Sequence, residues 1–266
     1  MRRAWLWFGA TVMVAFSVAP MATLVVASFR PGGAPTGAVS DLTFENYVRV
    51  FETRPFGSVL LRSFVVSSLT TVLAITIAAS AAFALAKLPV RGARALLAFS
   101  LGISMFPPIA TVSPLFLVIR ALGWRDTVQG LVVPYTTFAL PLAIWILATF
   151  FRDLPDDLYR AARVDGCTPW EAFVRVILPV AGPGVSTTAI LVFIFAWNEL
   201  LFALTFTSAP EARTVPAAIA LFAAEHRDPW GEIAAASTLS TMPLLLAALV
   251  FQRRIVSGLT AGAVKG

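Results

Sequence analysis

Few side chains in this sequence are equipped for bond-making chemistry. There is one histidine, His226, and one cysteine, Cys167, which excludes an intrachain disulfide, a cysteine-based metal cluster and most histidine-dependent catalysis. No Gly-x-x-x-x-Gly-Lys-Ser/Thr phosphate loop occurs, so the chain binds no nucleotide by that route. No metal site is expected, and the apolar segments hold neither the paired carboxylates nor the Ser-His arrangement that an intramembrane enzyme would require. Two stretches remain. One is Trp197-Asn198-Glu199, set inside a long apolar run; the other is 152–179, where charged residues and prolines flank the single glycine Gly166.

The elements that position these residues follow from composition. The chain has 266 residues, of which 58% are hydrophobic and 13% charged, and a mean hydropathy of +0.84, against about 45–50% and about 25% in soluble domains. So few charges cannot shell a large core, and a membrane is the expected solvent. A spanning helix needs about 20 mostly apolar residues. Six stretches qualify: Trp5–Ser28, Ser63–Ala86, Ala95–Ile119, Gly130–Phe151, Val176–Phe206 and Ile233–Phe251. The first follows Arg2 and Arg3 but is longer than a signal-peptide core of about 7–15 residues, so it reads as a retained span. Residues 1–266 thus read as one all-α transmembrane domain. With both termini inside, the inner segments carry the basic excess behind the net charge of +6, which is the positive-inside pattern and leaves no need for a nucleic-acid partner. Two outer segments are long, 29–62 and 207–232, and Leu42–Phe51 has the pattern of a short amphipathic helix.

Glu199 is the conspicuous ionisable residue within a span, at a cost of about 2.5–3.5 kcal/mol near mid-membrane, so it must face protein or water. Two readings are open. Trp197, Asn198 and Glu199 could line a sugar path, since sugars are held by hydrogen bonds plus an aromatic face; or the polar pair bonds to a neighbouring helix or subunit. Pro107-Pro108, Pro114, Pro134, Pro141, Pro183 and Pro243 fall within spans and bend them, as hinges or as static shaping. Cys167 is read as structural, His226 as a solvated loop residue, and the tail Gly262–Gly266 as frayed.

The inner segment 152–175 predicts helix, tight turn, helix. Pro155 suits a first helical position, Asp156 and Asp157 suit a positive helix N-terminus, and Arg160 and Arg163 suit its end. Asp165-Gly166 supplies the turn, and Thr168-Pro169-Trp170-Glu171 is a capping box with proline at the first position. Ala161 and Ala162 either leave a low-relief face for another protein surface or only favour helix.

Ala161-Ala-x-x-Asp165-Gly166, followed after nine residues by Val176-Ile-Leu-Pro179 with Phe173 between, resembles the "EAA" loop of ABC importer permeases. Phe193-Ile-Phe-Ala-Trp-Asn-Glu-Leu-Leu201, Pro114-Leu-Phe, Thr137–Pro141 and the ending 251–266 are similar to MalG-type subunits of carbohydrate importers, so the likeness covers most of the chain. The resemblance implies a type I importer permease fold with six spans and a cytoplasmic coupling helix that docks in a cleft of a separate ATPase, through Arg160, Ala161, Ala162, Arg163, Asp165 and Gly166. Arg160 stands where the family has Glu, which implies a charge-reversed or steric contact. The implied partners are a second permease subunit, two ATPase subunits holding Mg-ATP, and an extracytoplasmic sugar-binding protein. The chain itself needs no cofactor. The implied location is a bacterial inner membrane, and the implied cargo a disaccharide such as trehalose. The alternatives are an importer of another small solute, or a secondary carrier in which Glu199 titrates.

Overall fold

The computed structural model describes residues 2–33, 42–225 and 230–261, with side chains over 5–33, 42–222 and 230–249. Among the described residues every regular element is helical: α1 (Arg2–Ser28), α2 (Glu45–Glu52), α3 (Phe56–Lys87), α4 (Ala93–Ser104), α5 (Ile109–Ala121), α6 (Gln129–Asp153), α7 (Asp156–Val164), α8 (Pro169–Ala172), α9 (Leu178–Val180), α10 (Gly182–Trp197), α11 (Leu201–Phe206), α12 (Val215–Glu225) and α13 (Trp230–Ala261). Four helices, α1, α3, α6 and α13, are long and apolar enough to cross a membrane, and the count reaches six if two bent pairs are each one span. The short helix expected over Leu42–Phe51 is α2.

Two expected spans are broken. The third, expected over 95–119, bends by 88° between α4 and α5, because Pro107 bars Phe106 from helical backbone and α4 ends ahead of it. The fifth, expected over 176–206, is not one helix. A rod over Pro169–Val180 meets α10 at 81°, and α10 stops at Trp197, ahead of the separate α11. Within the rod, Phe173–Ile177 forms a wide π turn just before Pro179, whose ring crowds the carbonyl four residues back. By contrast, Pro114, Pro134, Pro141 and Pro243 are carried inside continuous helices. The second span begins at Phe56 rather than Ser63, and the sixth at Trp230.

Packing centres on α3 against α6. Ala74, Ala78 and Ala82 recur every fourth residue on α3 and meet Ala139 and Ala143 of α6, all buried. Small side chains at that spacing let two backbones approach closely, which is the main source of helix association where lipid removes the hydrophobic drive. α10 closes on α6 in the same way: a Cβ at Gly184 would stand 2.6 Å from the Phe150 ring. At the end of α3 that begins with Phe56, a second cluster gathers Val50, Phe56, Val59, Trp197, Val215 and Phe222. α1 meets α13, and Asn46 of α2 fastens its Ser28 end by donating to the carbonyls of Ser28 (2.8 Å) and Arg30 (2.7 Å). Nearby, Asp126 adopts φ 60° and accepts from the amides of Ser208 (2.5 Å) and Ala209 (3.0 Å), tying the α5–α6 turn to the loop after α11.

The α3–α6 seam has no room to give. Ala78→Leu is expected to lower stability by about 1–3 kcal/mol through overpacking, read as a fall in unfolding temperature of the detergent-purified protein, whereas the same change at the exposed Val72 leaves it unchanged.

Candidate functional site

The chain between α6 and α10 folds as an elbow. Leu154 is extended and Pro155 (φ −53°, ψ 132°) is the N-cap of α7, one position ahead of the expected first helical site. Asp156 and Asp157 occupy the first turn and Arg163 the last. Gly166 takes φ 87°, the left-handed conformation that ends a helix with little steric penalty only for glycine, and its neighbour Cys167 donates its amide to the Ala162 carbonyl (3.0 Å). Cys167 is half-buried, and its carbonyl accepts from the Arg163 guanidinium (2.5 Å). The capping box is complete: Thr168 Oγ1 accepts from the Glu171 amide (3.2 Å), and Glu171 Oε2 accepts from the Thr168 amide (2.8 Å). The bonds from the backbone and then the hydroxyl of Thr168 hold the Glu171 carboxyl below its ordinary range.

The elbow has a held side and an open side. Ala162 is buried, while Arg160, Ala161, Arg163, Asp165 and Gly166 are exposed. Two large apolar side chains stand beside them in the open, Val164 at 86% and Trp170 at 61% exposure. A shallow groove lined by Pro155, Leu158, Ala161, Asp165 and Val176 runs alongside. Apolar side chains exposed in a charged rim mark a surface suited to contact with a protein or a membrane.

Two contacts that sequence reading does not reach hold the elbow to the spans. The side chain of Lys87, the last residue of α3, is 2% exposed, and its Nζ donates to the Leu154 carbonyl and to Asp156 Oδ1, both at 2.6 Å. The Lys87 hydrogen bond and charge draw the Asp156 carboxyl below its ordinary value. Phe173 packs on Phe83 of α3 (4.8 Å between centroids), Phe151 of α6 (6.3 Å) and Trp170 (5.3 Å), while Phe83 also meets Tyr159 of α7 (5.8 Å). In the sequence Lys87 is one inner cation among many; its place in the last turn of α3 is the signal that fits a C-terminal role.

The structure separates the three expected path residues. Trp197 is 3% exposed and stacks on Phe193 at 5.7 Å. Asn198 is exposed and donates from Nδ2 to the Ile194 carbonyl (2.8 Å), closing the end of α10. Glu199 lies in the interruption between α10 and α11, not within a helix, and its carboxylate accepts from the amides of Phe202 (3.0 Å) and Ala203 (3.3 Å), capping α11. His226 and the tail Gly262–Gly266 lie outside the described residues. Among the described residues no group of three or more His, Cys, Asp and Glu could hold a metal ion.

The sequence matches the family of binding-protein-dependent transport system inner membrane components over residues 59–260. The chain belongs to that family, a component of a transport system rather than an enzyme. It is 46% identical to the trehalose transport system permease protein SugB of Mycobacterium tuberculosis, covering 100% of this chain and 99% of that one. It is 44% identical to the trehalose/maltose transport system permease protein MalG of Thermococcus litoralis, covering 100% and 98%. In solved structures, a chain of a bacterial ABC transporter that imports the acidic polysaccharide alginate shares the fold, with a TM-score of 0.77 at 22% identity over 94% of this chain and 96% of that one.

The Lys87–Asp156 contact has a pH signature. A carboxyl held below its ordinary value of 3.8 contributes its stabilisation in full above that value and loses it as pH falls through the lower folded value. Amide-exchange protection across α7 is therefore expected to drop on acidification below about pH 4 in the parent protein, and to be lower but flat over that range in Asp156→Asn. An unchanged profile in the variant would contradict the role of this pair.

Proposed function

We propose that the chain is the permease subunit of an ATP-driven sugar importer of a bacterial inner membrane, with both termini in the cytoplasm, and that the elbow over 156–180 is its coupling device. One observation carries this reading: the elbow is locked to α3 and α6 by Lys87 and Phe173 on one side, while Val164 and Trp170 stand exposed on the other. A surface so mounted delivers a push from a docked partner into the spans. The basic excess of the inner segments supports the orientation, and the names of the relatives support a disaccharide of the trehalose type as cargo.

With no phosphate loop in the sequence, the motor is a pair of separate ATPase subunits that bind Mg-ATP. A second permease subunit completes the translocation path. An extracytoplasmic sugar-binding protein delivers the cargo; a solved chain of the same fold is described in complex with a periplasmic protein. For ATP to drive transport, the ATPase must contact the elbow differently in its open and closed states, because a ligand shifts an equilibrium only by its differential affinity for the two states. Arg160, Ala161, Arg163, Asp165 and Gly166 make that contact, with Arg160 meeting an acidic or steric counterpart and Ala162 holding the helix to its seat. The interruption between α10 and α11, where Asn198 is exposed and Glu199 half-buried, borders the sugar path, with Trp197 behind it.

Gly166 offers a direct test. A Cβ there meets nothing within 4 Å in this chain alone, so the first cost to the subunit is backbone strain of about 1–2 kcal/mol. Gly166→Trp is expected to insert into the membrane normally and to abolish sugar uptake and its coupled ATP hydrolysis. Gly166→Asn, which tolerates the left-handed conformation, retains most uptake. Normal uptake by the Trp variant would sink the coupling role.

A further inference from the structure

At the end of α3 remote from Lys87, a cavity of about 380 Å³ lies between the α2–α3 turn, the 210–213 turn, α12 and α13. Its lining has two chemistries. Arg49, Arg54 and Arg213 face it with Thr53 and a single carboxylate, Glu232. Phe56, Val59, Ala218 and Phe222 make the rest of the wall. The floor is fixed: Arg54 lies 3.8 Å over the Phe222 ring and pairs with Glu232 at 3.3 Å, both side chains largely buried. Arg49 is on the rim, half exposed, and pairs with Glu45 one turn back on α2. Two separate stretches of chain, 49–54 and 210–213, thus converge three guanidinium groups on one hollow.

Its depth is equally telling. Arg54 lies two residues before Phe56, where α3 begins, and Glu232 sits in the first turn of α13. Both helices are apolar enough to span, so the cavity stands at the level where hydrocarbon gives way to headgroups. A ligand that fills it must offer anionic oxygens to guanidinium groups, for which planar forks are well matched, and an apolar part to the phenyl and aliphatic wall. We propose that this cavity binds a phosphate-bearing ligand, with the phosphodiester of an anionic phospholipid as the source that satisfies both walls. Free inorganic phosphate shares the anionic half of that chemistry and lacks the apolar half.

The test uses the assembled, delipidated transporter in neutral detergent, titrated with dihexanoyl phosphatidylglycerol, dihexanoyl phosphatidylcholine or inorganic phosphate, with binding read by calorimetry and by native mass spectrometry. The phosphatidylglycerol is expected to bind at least about tenfold more tightly than the phosphatidylcholine, and Arg49→Gln to weaken it about fivefold, the loss of one partly exposed charge-assisted contact, with Arg49→Lys recovering part of it. Inorganic phosphate binding as tightly as the lipid, with the same loss in Arg49→Gln, supports the site and assigns the free ion as its source. Binding of neither probe overturns the proposal, as does lipid binding indifferent to headgroup charge in the parent protein, a comparison that needs no variant to fold. Binding unaffected at Arg49 and also at Arg213→Gln overturns it as well.

Discussion

The arrangement rests on how closely α3 can approach α6. The alanines at 74, 78 and 82 and their counterparts at 139 and 143 bring two backbones together in a solvent where burying apolar side chains offers little gain over lipid. Once that seam is set, α3 is one continuous helix of 32 residues that links two regions of the bundle. One end organises the cluster around Phe56, and the other ends in Lys87 under the elbow. Gly184 extends the same close contact to α10 through Phe150. A displacement imposed at one end of α3 therefore cannot be absorbed locally, because packed cores deform little.

That rigidity gives the elbow its meaning. α7 and the rod over Pro169–Val180 are short, and short helices have little stability of their own. They hold their shape through local closures, the Gly166 turn and the Thr168–Glu171 box, and hold their place through Lys87 and the aromatic group around Phe173. The 81° bend at Ala181 carries the elbow's direction into α10, so three spans, α3, α6 and α10, share one fixture.

Much of this was legible in the sequence, and the division follows the range of the interactions. The spans and the elbow's caps depend on composition and on residues within four positions of one another: the Thr168–Glu171 box forms as expected, Pro155 falls one position ahead of its expected place, and the described helices supply four spans, or six if each bent pair is one. The interruptions were legible only in kind. Pro107-Pro108 breaks a span while Pro134 and Pro141 sit within a continuous α6, and the outcome depends on whether neighbours re-satisfy the freed backbone. The contacts of Lys87 with Asp156 and of Phe83 with Phe173 join residues far apart in the chain, and no local pattern announces them. Trp197 and Glu199 were visible as types, yet their directions were not: ending α10 at Trp197 turns the tryptophan into the core and makes Glu199 a cap.

One helix stands apart from these constraints. The sides of α1 over Trp5–Ser28 are almost wholly uncovered by the rest of the chain, and its firm polar attachment is at the Ser28 end, through Asn46 and the hydroxyl pair Ser28–Tyr47 at 2.7 Å. A member fastened at its foot and bare along its length acts as an outrigger: whatever surrounds the bundle, lipid or a neighbouring chain, supplies most of its lateral support. The bundle's own architecture is thus indifferent to where the far end of α1 leans, which leaves that helix free to follow whatever packs against it while the remaining spans keep their register.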